Sequence, residues 1–93
     1  MPMSFDSRLR IRDDVLISEL DGESVLLNLR SESYFGLDEM GTRIWKLLKS
    51  ESIQRVYDAL LADYDVDPEM LRVDLSELLD NLVQQGLVEV APA

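Results

Sequence analysis

Asp63-Tyr64-Asp65-Val66-Asp67 sets three carboxylates at alternate positions, and Asp74 follows at the twelfth, the spacing of ligands in a calcium loop. The sixth position argues against that chemistry. A calcium loop needs a glycine there to make its sharp turn, whereas this chain has Pro68, whose ring holds φ near about −65°. Asp67-Pro68-Glu69 reads instead as a helix start: a capping oxygen, a proline where a missing amide is harmless, and an acid at the positive helix end. No metal site is expected.

Other chemistry is scarcer still. The chain has neither histidine nor cysteine, which excludes thiolate nucleophiles, imidazole bases, disulfides and zinc sites of the usual ligand types. Its four glycines form no G-x-S-x-G, P-loop or G-x-G-x-x-G pattern. With no activated nucleophile or base, the expectation is a protein that is not an enzyme and uses no cofactor.

What stands out is a surface. Residues 33–45, S-Y-F-G-L-D-E-M-G-T-R-I-W, gather three aromatic side chains and two glycines into one stretch. The charge is one-sided as well: nineteen acidic against nine basic residues give a formal charge of −10. That field repels phosphate backbones and anionic lipid and favours a cationic partner. The third helix carries only Arg72 against Glu69, Asp74, Glu77 and Asp80, so it is not expected to enter a DNA groove. No basic flank precedes an apolar run at the N-terminus, and no segment approaches the ~18 apolar residues of a membrane span. The reading is a cytoplasmic protein without nucleic-acid or membrane partners.

Elements to position these residues follow from periodicity. Val15–Leu20 and Ser24–Leu29 are β-rich runs separated around Asp21-Gly22, a strong hairpin signal. Tyr34-Phe35-Gly36-Leu37 supplies a third strand and completes a meander. After Leu37 the period becomes about 3.6. Asp38 caps a first helix with Met40, Ile44, Leu47 and Leu48 on one stripe and Trp45 beside it, while Gly41 suggests close approach of another backbone, such as the third strand. Ile53, Val56, Tyr57, Leu60, Leu61 and Tyr64 form the stripe of a second helix. A third runs from Pro68 to Gln85 with Leu71, Leu75, Leu78, Leu79 and Leu82 as its apolar set and Gly86 as its left-handed terminator. The fold class is therefore α+β: a three-stranded antiparallel β-meander followed by a three-helix bundle, winged helix-turn-helix-like. Residues 1–14 read as a tether or edge strand, 15–90 as the domain and 91–93 as a tail.

On pattern alone the third strand has two readings. Tyr34 and Phe35 lie on opposite faces and Gly36 leaves room for an approaching backbone, so an extended peptide can add as a further strand. Equally, Phe35 and Leu37 can simply fill the core.

Three strings decide between them: Tyr34 to Leu48, Tyr64 to Glu69 and Leu78 to Val88, in order and at matching separations, resemble the PqqD family. The similarity runs from about Val15 to Val90. It implies three strands and three helices forming a stand-alone recognition module for ribosomally made, post-translationally modified peptides. Such a module captures the leader of a precursor peptide and presents it to a modifying enzyme. In pyrroloquinoline quinone biosynthesis that enzyme is a radical S-adenosylmethionine enzyme; in lasso-peptide biosynthesis it is a leader peptidase acting with a cyclase.

Carried over by position, the leader would lie beside Ser33, Tyr34, Phe35, Gly36 and Leu37. The third helix would offer Leu71, Asp74, Leu75 and Leu78, with Leu82 further along, and Tyr34, Phe35, Leu71, Asp74 and Leu78 are the favoured contacts. Asp74, Glu77 and Asp80 would steer lysines or arginines of the leader. Binding is expected in the micromolar range, on the order of −7 to −9 kcal/mol. The competing expectation is a non-catalytic structural or dimerising subunit that binds an enzyme through its helices and no peptide.

Overall fold

In the computed structural model, which describes Phe5 and residues 7–91, the elements follow in the order β1 (Leu9–Ile11), β2 (Val15–Leu20), β3 (Glu23–Asn28), β4 (Ser33–Leu37), α1 (Glu39–Leu48), α2 (Ile53–Asp63), α3 (Pro68–Gln84) and β5 (Val88–Val90). The expected α+β arrangement of a meander followed by three helices is what the chain adopts. Of the tether and tail expected at the ends, residues 1–4, Asp6 and residues 92–93 lie outside the described residues.

Asp21 and Gly22 both take positive φ, 55° and 86°, the left-handed pair that closes a two-residue hairpin without splaying its strands. Leu20 therefore pairs with Glu23 and Val15 with Asn28. The β3–β4 turn is held differently: the buried Asn28 side chain accepts from the amides of Arg30 and Ser31 at 3.0 and 3.3 Å. The sheet order is β2-β3-β4, so β4 has one free edge among the described residues.

The short segment around Leu9 does not join that sheet. β1 pairs with β5 as a separate two-stranded ribbon, with Leu9 opposite Val90 and Ile11 opposite Val88. Alternation within β1 shows that a strand is feasible, but only the folded chain brings its partner from the other end. Arg12 bonds Glu89 at 3.2 Å and Asp14 at 3.4 Å across the same junction.

All three helix starts are capped by their own side chains. Asp38 accepts from the Gly41 amide at 2.7 Å, Ser52 from Arg55 at 3.3 Å, and Asp67 from Glu69 and Met70 at 2.8 and 3.3 Å. Ahead of α2, the carbonyls of Ser7 and Phe5 also accept from Ile53 and Gln54, so the N-terminal segment helps satisfy that helix end. Gly86, at φ 71°, ends α3.

The core lies between the inner face of the sheet and the helices. Leu26, Leu37, Ile44, Trp45, Leu48, Ile53, Val56, Leu60, Leu75, Leu79 and Leu82 are buried in one cluster. Fully burying a side chain of this size contributes about 1.5 to 3 kcal/mol. Trp45 is thereby assigned to the core rather than to a surface. One buried polar contact crosses the layers: the hydroxyls of Ser24 on β3 and Thr42 on α1 lie 2.7 Å apart.

Candidate functional site

Where β4 runs into α1, the chain turns away from the sheet while α3 crosses nearby, and a cleft of about 520 Å³ opens between them. Sequence alternation decides what β4 contributes. Phe35 and Leu37 point to the helix side, with Leu37 buried and Phe35 half-buried, and Gly36 lies between them on the cleft wall. Met40, Gly41 and Ile44 of α1 form the end wall, and Gly41 is the reason that wall is close. A Cβ there would sit 3.1 Å from Cδ2 of Leu37 and 3.2 Å from Oδ1 of Asp38. The close approach inferred for Gly41 is therefore made by the Leu37 side chain rather than by strand backbone.

Helix periodicity sets the opposite wall. Leu71, Asp74, Leu75 and Leu78 fall at offsets 0, 3, 4 and 7, one face of α3, and all four line the cleft. Their depths differ. Leu71 and Leu75 are 4% and 1% exposed and form the floor, Leu78 is half-buried, and Asp74 is exposed at the rim. The ionisable groups of the lining are two carboxylates, Asp38 and Asp74.

Seven of the residues singled out from sequence thus meet in one place: Phe35, Gly36, Leu37, Leu71, Asp74, Leu75 and Leu78. Ser33 and Tyr34 stand apart. Ser33 bonds Ser31 at 2.6 Å in the turn, and Tyr34, 73% exposed, sits on the outer face of the sheet in a row with Leu27 and Leu16. Leu82 is fully buried in the core. Met40, Gly41, Ile44 and Asp38 complete the lining and were read in the sequence only as parts of a capped helix. Their signal was the short step from β4 to α1, with Asp38 as the single residue between the two elements.

Two acids of the calcium-like spacing serve other ends. Asp67 caps α3 and Asp63 pairs with Arg43, whose guanidinium is held above its ordinary pKa by that hydrogen bond first and by Tyr64 second. Among the described residues no group of three or more acids converges as a metal site. No helix among them is long and apolar enough to cross a membrane.

An open strand edge beside an apolar, acid-rimmed cleft, on a small α+β scaffold, defines a class of binding module. The family follows from the sequence itself: residues 23–88 match the model described as Coenzyme PQQ synthesis protein D (PqqD), and the chain belongs to the PqqD family. Two solved structures share its fold. One is TbiB1 in complex with the TbiA(beta) leader peptide, at 38% identity and a TM-score of 0.82, covering 90% of this chain and 99% of that one. The other is a lasso peptide synthetase B1 complexed with its leader peptide, at 25% identity and a TM-score of 0.79, covering 88% and 98%. Comparison with the curated proteins gives no match.

Proposed function

We propose that this chain is a non-catalytic peptide-binding module that captures the leader of a ribosomally synthesised precursor by strand addition and presents it to a modifying enzyme, as in pyrroloquinoline quinone or lasso-peptide biosynthesis. The observation that carries the reading is the free edge of β4 running alongside the cleft against α3, in a fold shared with two proteins whose structures hold leader peptides. A peptide lying on that edge would hydrogen-bond to the backbone of Ser33–Leu37 and place alternate side chains over Leu71, Leu75 and Leu78.

The non-catalytic reading rests on the chain's lack of histidine and cysteine and on a lining whose ionisable groups are two carboxylates. The modifying enzyme supplies the chemistry, as a radical S-adenosylmethionine enzyme or a leader peptidase would. That enzyme would dock away from the cleft. Leu16, Val25 and Tyr34 are all exposed on the outer face of the sheet, 53%, 43% and 73%, an apolar arrangement suited to a protein partner. A module that meets its precursor at translation acts in the cytoplasm.

The test is an amide-resolved NMR titration with the leader segment of whatever small precursor peptide is encoded beside this protein. Shifts at Ser33–Leu37 and on the Leu71, Asp74, Leu78 face of α3 are expected. Shifts confined to the outer sheet face or to α2 would overturn strand addition at β4 and favour a subunit that binds its enzyme without peptide.

A further inference from the structure

The cleft is apolar except at its rim, and its two charges have the same sign. Of these, Asp38 is committed: its Oδ1 accepts from the Gly41 amide, and its charge answers the positive end of α1. Asp74 has no such answer. It stands well past the Asp67 cap of α3, is exposed, and enters no ion pair or side-chain hydrogen bond among the described residues.

Seven of the chain's nine cations are engaged elsewhere. Arg10, Arg12, Arg30, Arg43, Lys46 and Arg55 face carboxylates on other surfaces. Arg72, the basic residue of α3, lies over the rings of Phe5 and Tyr57 at 4.5 and 5.1 Å. No lysine or arginine lines the cleft. The α3 acids are also sorted by the fold, since Glu77 and Asp80 are not part of the lining and Asp74 is.

From this, and resting on the peptide-binding reading above, we infer that Asp74 is a specificity residue selecting a leader with a lysine or arginine two positions from an apolar anchor. Side chains on one face of an extended peptide repeat every second residue, about 7 Å apart. An anchor seated over Leu75 and Leu78 therefore brings its same-face neighbour to the Asp74 rim. A lysine or arginine is suited to that place, because its methylene stem can lie along Leu71 while the charged head reaches the carboxylate.

The experiment selects random twelve-residue displayed peptides on the full chain and on Asp74→Asn and Asp74→Lys, changes at an exposed helical position that leave the core intact. Wild type is expected to enrich Lys or Arg two residues from an aromatic or branched aliphatic side chain. Asp74→Asn keeps the anchor and loses the basic preference, and Asp74→Lys selects Asp or Glu there. Replacing the basic residue of a selected peptide by Gln weakens binding to wild type about tenfold and to Asp74→Asn hardly at all. An anchor without charge preference, or equal basic enrichment on Asp74→Asn, overturns the inference and leaves the cleft reading standing. No binders, or binders indifferent to Leu78→Glu, overturn both.

Discussion

The side-chain amide of Asn28 donates to the backbone oxygen of Gln85 at 3.0 Å, joining the turn before β4 to the end of α3. The two walls of the cleft, β4 and α3, are fastened at this point, and the same Asn28 side chain also accepts from two turn amides. Asn28→Ala removes all three bonds in a buried setting. A loss of about 2 to 3 kcal/mol is expected in urea unfolding, together with weaker leader binding. Stability within about 0.5 kcal/mol of the parent would show that Asn28 does not fasten the walls.

Ser24 and Thr42 offer a cleaner energetic test. Ser24→Ala strands the buried Thr42 hydroxyl and is expected to cost about 1 to 2 kcal/mol, whereas Ser24→Ala with Thr42→Val removes both partners and costs less than the sum of the single changes. A double-mutant cycle from chemical denaturation reads the coupling directly.

Leu75 and Leu78 are three residues apart on α3 yet should behave differently. Leu75→Ala empties a fully buried site and is expected to lower stability by about 2 to 4 kcal/mol. Leu78→Glu, at a half-buried position on the cleft wall, should leave the thermal midpoint within a few degrees and weaken leader affinity more than tenfold. Calorimetry beside a fluorescence titration separates the two, and an unaltered affinity in Leu78→Glu counts against the cleft.

Glycines at the two ends of the β4–α1 step divide in the same way. A Cβ at Gly36 meets nothing within 4 Å, so Gly36→Ala is expected to fold as the parent does. At Gly41 a Cβ presses on Leu37 and on the capping oxygen of Asp38, so the helix-propensity gain of about 1 kcal/mol is expected to be cancelled or reversed. A higher midpoint for Gly41→Ala than for the parent would mean that Leu37 yields freely.

Arg72 ties the N-terminal segment to α3 by lying over Phe5 and Tyr57, whose rings meet edge to face at 5.5 Å. Arg72→Ala is expected to cost about 1 kcal/mol. Faster amide exchange at Ile53 and Gln54, whose amides bond Ser7 and Phe5, is the accompanying sign.

Much of this molecule was legible in its local chemistry. Asp21-Gly22 specifies its own turn, Asp38 and Asp67 their own helix starts, and alternation sets Tyr34 on the face of β4 opposite Phe35 and Leu37, because each depends on neighbours a few residues away. The absence of histidine and cysteine narrowed the chemistry in the same direct manner. Pairing of β1 with β5, the Asn28–Gln85 bond and the outward placement of Tyr34 relative to the cleft depend on which distant segments meet, and no short-range pattern encodes that. The division of the α3 leucines belongs to the tertiary structure too. A helical stripe puts Leu71, Leu75, Leu78 and Leu82 on one broad face, but only the packing of β4, α1 and α2 leaves Leu78 on a wall and closes Leu82 into the core.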